Sequence, residues 1–356
     1  MLITIIAFIG VLIVLILAHE LGHFVTAKIF KVRVDEFGLF FPPRLLSIKR
    51  GETRYSLNAI PLGGFVKMAG EEDPKVPRSL ASKGITTRLL VLSAGPLMNF
   101  LLPLLLFSIA FMVPNDLIIE QVSVKEVAPG SPGDMAGIVS GDTILEINGK
   151  PVHNVGDLHR YLQLNLGNKT TILVKHSDST TDETELIPRW KPPEGQGATG
   201  ITLDVKAIIS SQTTVRQNYP FWKAIPMGVS KSIETFVLFK NGIINMIVGT
   251  IPVEFTGPVG IAQITGEVAK AGISPLLEFT AFFSINLAII NILPLPALDG
   301  GRIAFILLER IRHGKRISPK TEGRIHLIGF ATLIGLIMLI TYQDIIRIVS
   351  GGNPIP

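Results

Sequence analysis

The strongest constraint on this chain is that it contains four long apolar stretches. They run from Leu2 to about Ala27, from Leu89 to Val113, from Phe279 to Leu298 and from Leu327 to Gln343. A helix of about 20 apolar residues crosses the hydrocarbon core of a bilayer. The whole chain is 47% hydrophobic and only 17% charged, which is too apolar for an ordinary soluble protein. The sequence therefore predicts a polytopic α-helical membrane protein with about four transmembrane helices.

A fifth stretch, Ile233 to Ile251, is less apolar because it contains Glu234 and Lys240. Aromatic residues precede it, and its polarity is mixed. We interpret it as an amphipathic helix at the membrane surface rather than as a span.

The distribution of charge orients the predicted spans. Residues 28–88 hold 12 Lys/Arg against 6 Asp/Glu, and residues 301–325 hold 7 against 2. Short loops rich in Lys and Arg remain in the cytoplasm. We therefore expect both loops to be cytoplasmic, and we expect segment 114–274 and both termini to be extracytoplasmic. This orientation brings the end of the first span and the end of the third span to the same side of the membrane.

Composition also excludes several classes of partner and site. The chain has no cysteine, so neither disulfides nor cysteine-based zinc sites are possible. No Lys/Arg-dense stripe with interleaved aromatics is present, so we expect no nucleic-acid partner. The N-terminus lacks a basic start and a small-residue cleavage site, so we expect it not to be a cleaved signal peptide.

The first span contains the pattern H-E-x-x-H at His19, Glu20 and His23. Histidines four residues apart lie on one helix face, where both can bind one Zn²⁺ while the glutamate reaches a metal-bound water. Ionisable residues inside an apolar span are usually functional. Catalytic zinc needs a third protein ligand. Asp299, at the end of the third predicted span, is the best candidate, and His326 is a more distant alternative.

The extracytoplasmic segment contains a small module over residues 118–190. Asn148-Gly149 predicts a hairpin turn between two strands, and Asn154 with Asp157 predicts the start of a helix. A generic β-rich adaptor would show the same alternation. The run "SPGDMAGIVSGDTILEINGKPV", however, resembles an α+β PDZ domain, which binds an extended peptide or a new C-terminus at a strand edge.

These motifs together resemble the site-2 protease family, and most closely its bacterial regulator of sigma-E protease type. The resemblance rests on "AHELGHF" in the first span, "LPLPALDGGR" after the third and the single PDZ-like insert between the second and third spans. It implies an intramembrane zinc metalloprotease of the bacterial cytoplasmic (inner) membrane. His19, His23 and Asp299 would then be zinc ligands, and Glu20 the catalytic acid/base.

Further residues are candidates for substrate binding. Residues 54–70, with Gly63 and Gly64, have the pattern of a β-hairpin, and the resemblance implies that this hairpin associates with the membrane and pairs with an extended substrate. Asn99 follows Gly95 by one turn in the second span. Close helix packing explains that pair equally well, although the resemblance places it around the active site. The resemblance also implies substrate handling by Asn291, near Pro294.

The predicted organisation has four parts. Residues 1–113 form an N-terminal membrane core, 118–190 the PDZ domain, 191–274 a linker with the interfacial helix, and 275–350 a C-terminal membrane core.

The predicted function is cleavage of single-span membrane proteins, such as anti-sigma factors or signal-peptide remnants, after a first extracytoplasmic cut. One alternative is a non-catalytic, membrane-anchored PDZ scaffold. Another is a membrane metalloprotease of different architecture, such as a prenyl-protein endopeptidase, whose third ligand is usually a downstream glutamate.

Overall fold

The computed structural model describes residues 1–71, 73–250 and 256–350. The chain divides into two compact units. The first unit comprises Met1–Ala110, Phe221–Val229 and Glu254–Pro356, and the second comprises Phe111–Pro220 and Ser230–Val253.

The helices, in chain order, are α1 (Leu2–Ile29), α2 (Ile85–Met112), α3 (Pro132–Met135), α4 (Val155–Leu164), α5 (Val205–Ser210), α6 (Phe221–Val248), α7 (Pro258–Ala271), α8 (Ile273–Ile292), α9 (Asp299–Ile311) and α10 (Pro319–Val349). The strands are β1 (Val34–Arg50), β2 (Thr53–Met68), β3 (Asn115–Ile119), β4 (Val122–Val127), β5 (Thr143–Ile147), β6 (Lys150–Pro151), β7 (Thr170–Lys175), β8 (Thr181–Leu186), β9 (Ile201–Leu203) and β10 (Thr213–Gln217).

Four of the described helices are long and apolar enough to cross a membrane, namely α1, α2, α8 and α10. This confirms the prediction of a polytopic membrane protein with about four spans. The third span differs in its limits, because the predicted stretch Phe279–Leu298 is helical only as far as Ile292. Pro294 and Pro296 follow, and proline is disfavoured inside a helix. Asp299 therefore begins a separate amphipathic helix, α9, instead of ending the span.

Helices α1 and α2 of the first unit approach each other closely at two glycines. A Cβ atom on Gly22 would overlap the carbonyl oxygen of Ala94, and one on Gly95 would overlap the ring of His23. Glycine is the residue that allows such an approach, because its backbone can contact a neighbouring helix directly. The α1–α2 pair thereby places the second helix against the face that carries the histidines.

The predicted hairpin is larger than residues 54–70, and its turn lies elsewhere. β2 is one long strand that pairs with β1, and the turn is at Gly51, whose φ of 62° favours glycine. Pattern reasoning confined the hairpin to residues 54–70 because it did not recognise the upstream strand. In the observed register, residue Leu39 pairs with both Leu57 and Gly64, so residues 64–68 form an outer strand segment of this sheet.

The second unit contains a six-stranded sheet with the order β8-β7-β5-β4-β9, and β6 pairs with β5. Its core packs strand residues such as Ile144 and Ile172 against Leu158 and Leu162 of α4. Two local predictions are confirmed: residues 148 and 149 both have positive φ, and the Asn154 side chain accepts a hydrogen bond from the backbone N–H of Asp157. The sheet also includes β9, which lies beyond the predicted limit of residue 190.

The segment predicted as a linker with an interfacial helix, 191–274, contains regular structure over most of its described length. β10 pairs with β3, and α6 is a continuous helix of 28 residues. Among the described helices, α6 is not one of those apolar enough to cross a membrane. The predicted segment Ile233–Ile251 is therefore helical as far as Val248, and its last residue lies outside the described part of the chain.

Candidate metal centre

Helix α1 presents His19, Glu20 and His23 on consecutive turns near its C-terminal end. Glu20 and His23 are buried, with 8% and 5% of their surface exposed. The segment has no interior proline, and a long apolar segment in a bilayer forms a helix because its backbone groups must be hydrogen-bonded internally. The observed helix thus places both imidazoles on one face, as the four-residue spacing predicts.

The structure brings Asp299 next to both histidines. Its Oδ2 atom lies 3.1 Å from Nε2 of His19 and 3.2 Å from Nε2 of His23. The two Nε2 atoms are themselves 3.2 Å apart. These three atoms come from α1 and from the start of α9, and His23 and Asp299 are 276 residues apart in the sequence.

The spacing of these atoms fits a zinc ion. Zn–N and Zn–O bonds of about 2.0–2.1 Å at tetrahedral angles separate neighbouring ligand atoms by about 3.3 Å. The observed separations of 3.1 to 3.2 Å are close to this value. Two imidazoles and one carboxylate also leave a fourth position for water or substrate, as catalytic zinc sites do. Among the described residues, this is the one group of three or more such side chains able to hold a metal.

The ring of His23 is fixed by α2. Its Nδ1 atom lies 2.8 Å from the carbonyl oxygen of Val91. Because a carbonyl only accepts, Nδ1 carries the proton and donates, which leaves the Nε2 lone pair directed at Asp299 and His19. Gly95 contacts the same ring from the next turn of α2.

Asp299 is positioned by the loop of residues 293–298 and by the two glycines that follow it. A Cβ on Gly300 would overlap the carbonyl oxygens of Ile292 and Leu293, and one on Gly301 would overlap that of Leu295. The sequence DGG therefore lets the first turn of α9 pack directly against the loop backbone.

His326, the alternative third ligand, has a different position. The backbone N–H of Ala297 donates to its Nδ1 at 2.9 Å, so His326 holds the loop before Asp299 from α10. It is not part of the group that surrounds the candidate metal position. The structure therefore favours Asp299 over His326.

The other predicted residues divide into two groups. Gly64 is close to the site, because a Cβ there would lie 2.9 Å from Cγ of Glu20, and Asn99 Nδ2 lies 3.4 Å from Nδ1 of His19. Gly63 contacts the ring of Phe41 instead. Asn291 is near the end of α8, and Pro294 is exposed in the following loop. Within the described residues, neither makes a hydrogen bond to the three candidate ligands.

Sequence reasoning missed the ion pairs that hold α9. Arg88 of α2 donates to Glu309 at 2.7 Å, and Arg316 donates to the same carboxylate at 3.0 Å. Burial acts to raise the pKa of Glu309, but the hydrogen bonds from the two arginines lower it overall. The charges were visible in the sequence, but their pairing depends on how α9 folds back onto α2.

Three side chains able to hold a metal beside the buried Glu20, in a chain with four membrane-type helices, are typical of a membrane metallohydrolase. Comparison with known proteins identifies the family: residues 7–336 match the model of peptidase family M50, and the chain belongs to this family. It is a metalloendopeptidase and a multi-pass membrane protein, and its cofactor is zinc. This excludes the non-catalytic scaffold and selects the site-2 protease architecture over the other membrane metalloproteases.

Two relatives illustrate the similarity. A protein of Clostridium acetobutylicum that is named as a zinc metalloprotease is 35% identical over 335 residues, which is 94% of each chain. The zinc metalloprotease RasP of Oceanobacillus iheyensis is 27% identical over 430 residues, covering 97% of this chain and 99% of its own.

Proposed function

We propose that this chain is an intramembrane endopeptidase that cuts the transmembrane segments of single-span membrane proteins. The observation that carries the proposal is the meeting of His19, His23 and Asp299 beside Glu20, on a helix with the length and apolarity of a membrane span. Hydrolytic chemistry at that position acts on peptide bonds that lie within the bilayer.

In the proposed mechanism, His19, His23 and Asp299 hold the zinc. A zinc ion held there would supply a water molecule of lowered pKa and a Lewis acid for the scissile carbonyl. Glu20 takes a proton from the attacking water at its carboxylate oxygen and passes it to the nitrogen of the leaving amine. The hydrogen bond from His23 to Val91 keeps that imidazole in the tautomer that binds a metal.

The substrate would have to be extended at the site of cutting, because a helix holds its amides in i→i−4 hydrogen bonds. Residues 64–68 support this step, since they form an outer strand segment and Gly64 lies against Glu20. An unwound substrate would pair with this segment by strand addition. Asn291 and Pro294, at the end of α8, are the remaining candidates for contacts to the substrate. The exposed apolar residues Leu45, Leu46 and Ile48 suit association of the same sheet with the membrane.

The sheet of the second unit is proposed to be a PDZ domain on the extracytoplasmic side of a bacterial inner membrane. β9 lies at the edge of this sheet and follows Gly200, whose φ is 75°. A peptide or a new C-terminus could bind there by adding a strand to the sheet. The positive-inside distribution supports this orientation, and both termini are proposed to lie on the same side. Substrates with an earlier extracytoplasmic cut, such as anti-sigma factors or signal-peptide remnants, are the proposed partners.

The test uses the purified protein in detergent with a single-span substrate whose extracytoplasmic part has been trimmed. Glu20→Gln should keep about one zinc per chain and should lose cutting, because an amide accepts no proton from water. Glu267→Gln is the matched control, since Glu267 is exposed on α7. Cutting by Glu20→Gln at the wild-type rate, or a zinc-free wild-type protein, would contradict the proposal. Cuts mapped outside the transmembrane segment would contradict its intramembrane part.

A further inference from the structure

Asn99 is a buried amide in α2 whose only side-chain partner among the described residues is a candidate zinc ligand. It is 1% exposed, and its Nδ2 lies 3.4 Å from Nδ1 of His19. Its Oδ1 is buried and accepts no hydrogen bond within the described part of the chain. Such a group needs an explanation, because a buried polar atom without a partner is costly.

The requirements of a metal ligand decide which amide atom should face His19. A histidine that binds zinc through Nε2 has its proton on Nδ1, so Nδ1 is a donor. His23 shows this arrangement already, with Nδ1 directed at the carbonyl oxygen of Val91 at 2.8 Å. The group that faces Nδ1 of His19 must likewise be an acceptor. An NH₂ group there would require the other tautomer, whose proton would occupy the metal side of the ring.

We propose that Asn99 is a positioning residue whose Oδ1 accepts the Nδ1–H of His19. The oxygen and nitrogen of a side-chain amide have nearly the same shape. A rotation of the Asn99 amide by about 180° around its last side-chain bond therefore exchanges Oδ1 and Nδ2 and gives the required orientation. The bond fixes the tautomer and the ring plane of His19. This inference rests on the proposed function, because it assumes that His19 binds the metal.

The surroundings of Asn99 make its position specific. Oγ of Ser284 in α8 donates to the backbone carbonyl of Asn99 at 2.7 Å, and both residues are buried. Gly95 lies one turn earlier in α2 and contacts His23. Val91, Gly95 and Asn99 thus lie on successive turns of α2 and contact the two imidazoles. The hydrogen bond from Ser284 of α8 holds the turn that carries Asn99, next to His19.

The test compares zinc affinity, measured by competition with a chelator, in full-length protein purified in detergent. Asn99→Leu should weaken zinc binding about 10- to 100-fold, the usual effect of losing the hydrogen-bond partner of a ligating histidine. Asn99→Asp should bind zinc at least as tightly as the wild type, because a carboxylate accepts the same hydrogen bond. Asn241→Leu is the control, since Asn241 is another buried helical asparagine that donates to the carbonyl of Gln163.

Cobalt(II) substitution adds a readout that a general loss of packing would not give. Asn99→Asp should keep the ligand-field absorption of the wild-type cobalt protein, and Asn99→Leu should change it. Unfolding of the zinc-free proteins shows whether each variant is folded, and Asn99→Ala takes the place of Asn99→Leu if leucine prevents folding.

Two results would overturn the inference: wild-type zinc affinity in Asn99→Leu, or an Asn99→Asp protein as weak as Asn99→Leu. The second would mean that the amide donates to His19. A wild-type protein without zinc would instead overturn the proposed function, so the two failures can be distinguished.

Discussion

Replacing Gly95 by alanine should displace His23 from the metal position. A methyl group at residue 95 would overlap Nε2, Cε1 and Cδ2 of the His23 ring. Because non-bonded heavy atoms lie about 3.5–4.0 Å apart, the ring must retreat by about 1–2 Å or α2 must move away from α1. The bond from His23 to Val91 opposes a simple rotation of the ring. A displacement of about 1 Å costs about 100-fold in rate, or about 2.7 kcal/mol of activation free energy.

The control for this substitution is Gly10→Ala in α1. No described atom would lie within 4 Å of a Cβ there, apart from the helix's own backbone and chain neighbours. Alanine is the better helix former by about 1 kcal/mol, so Gly10→Ala should be neutral or slightly stabilising. The assay measures zinc content, cutting rate and thermal unfolding of both variants in detergent. Wild-type zinc binding together with a wild-type rate in Gly95→Ala would refute the reasoning.

Three further predictions concern stability. Asp344 of α10 is buried and accepts hydrogen bonds from backbone N–H groups at the N-terminus of α7, at 3.2 and 2.8 Å. Asp344→Ala should therefore lower the unfolding free energy by about 1–3 kcal/mol, and Asp344→Asn should lower it less. Glu309→Gln should cost about 1–3 kcal/mol, because it leaves the Arg88 side chain, which is 12% exposed, beside a neutral partner, whereas an unchanged melting temperature would contradict the pairing. The hydrogen bond to Asp142 raises the pKa of His176 in the folded protein above its ordinary value of 6.5. The stability that this pair adds should therefore be complete below pH 6.5 and should be lost as the pH rises through the raised pKa. Unfolding curves across that range should show this loss in the wild type and not in His176→Gln.

Local patterns predicted a large part of this protein. The spans follow from the length of apolar stretches, and the H-E-x-x-H pair follows from the geometry of one helix turn. The Asn148-Gly149 turn and the Asn154 cap are equally local, and all of these features are present in the structure. Asp299 was also predicted, because the expected orientation puts the ends of the first and third spans on the same side of the membrane, and in the structure it lies beside both histidines.

Predictions that depended on distant residues were less accurate. The hairpin was assigned to 54–70 from its alternation of β-prone and small residues, whereas β2 is a long strand that pairs with β1 around Gly51. His326 was considered a ligand because histidine is a common one, but its neighbour is the backbone of Ala297. A residue's chemistry limits its possible roles, and its neighbours select one of them.

The sequence by itself determined that this chain has membrane spans and a histidine pair with the spacing of a metal site, because hydropathy and helical spacing are properties of consecutive residues. Only the tertiary structure decided how the site is completed. Asp299 joins the histidines, Val91 and Asn99 face their rings, and Gly64 reaches Glu20. Those contacts arise from the packing of α1, α2, α9 and β2, which lie far apart along the chain and have no short-range pattern to reveal them.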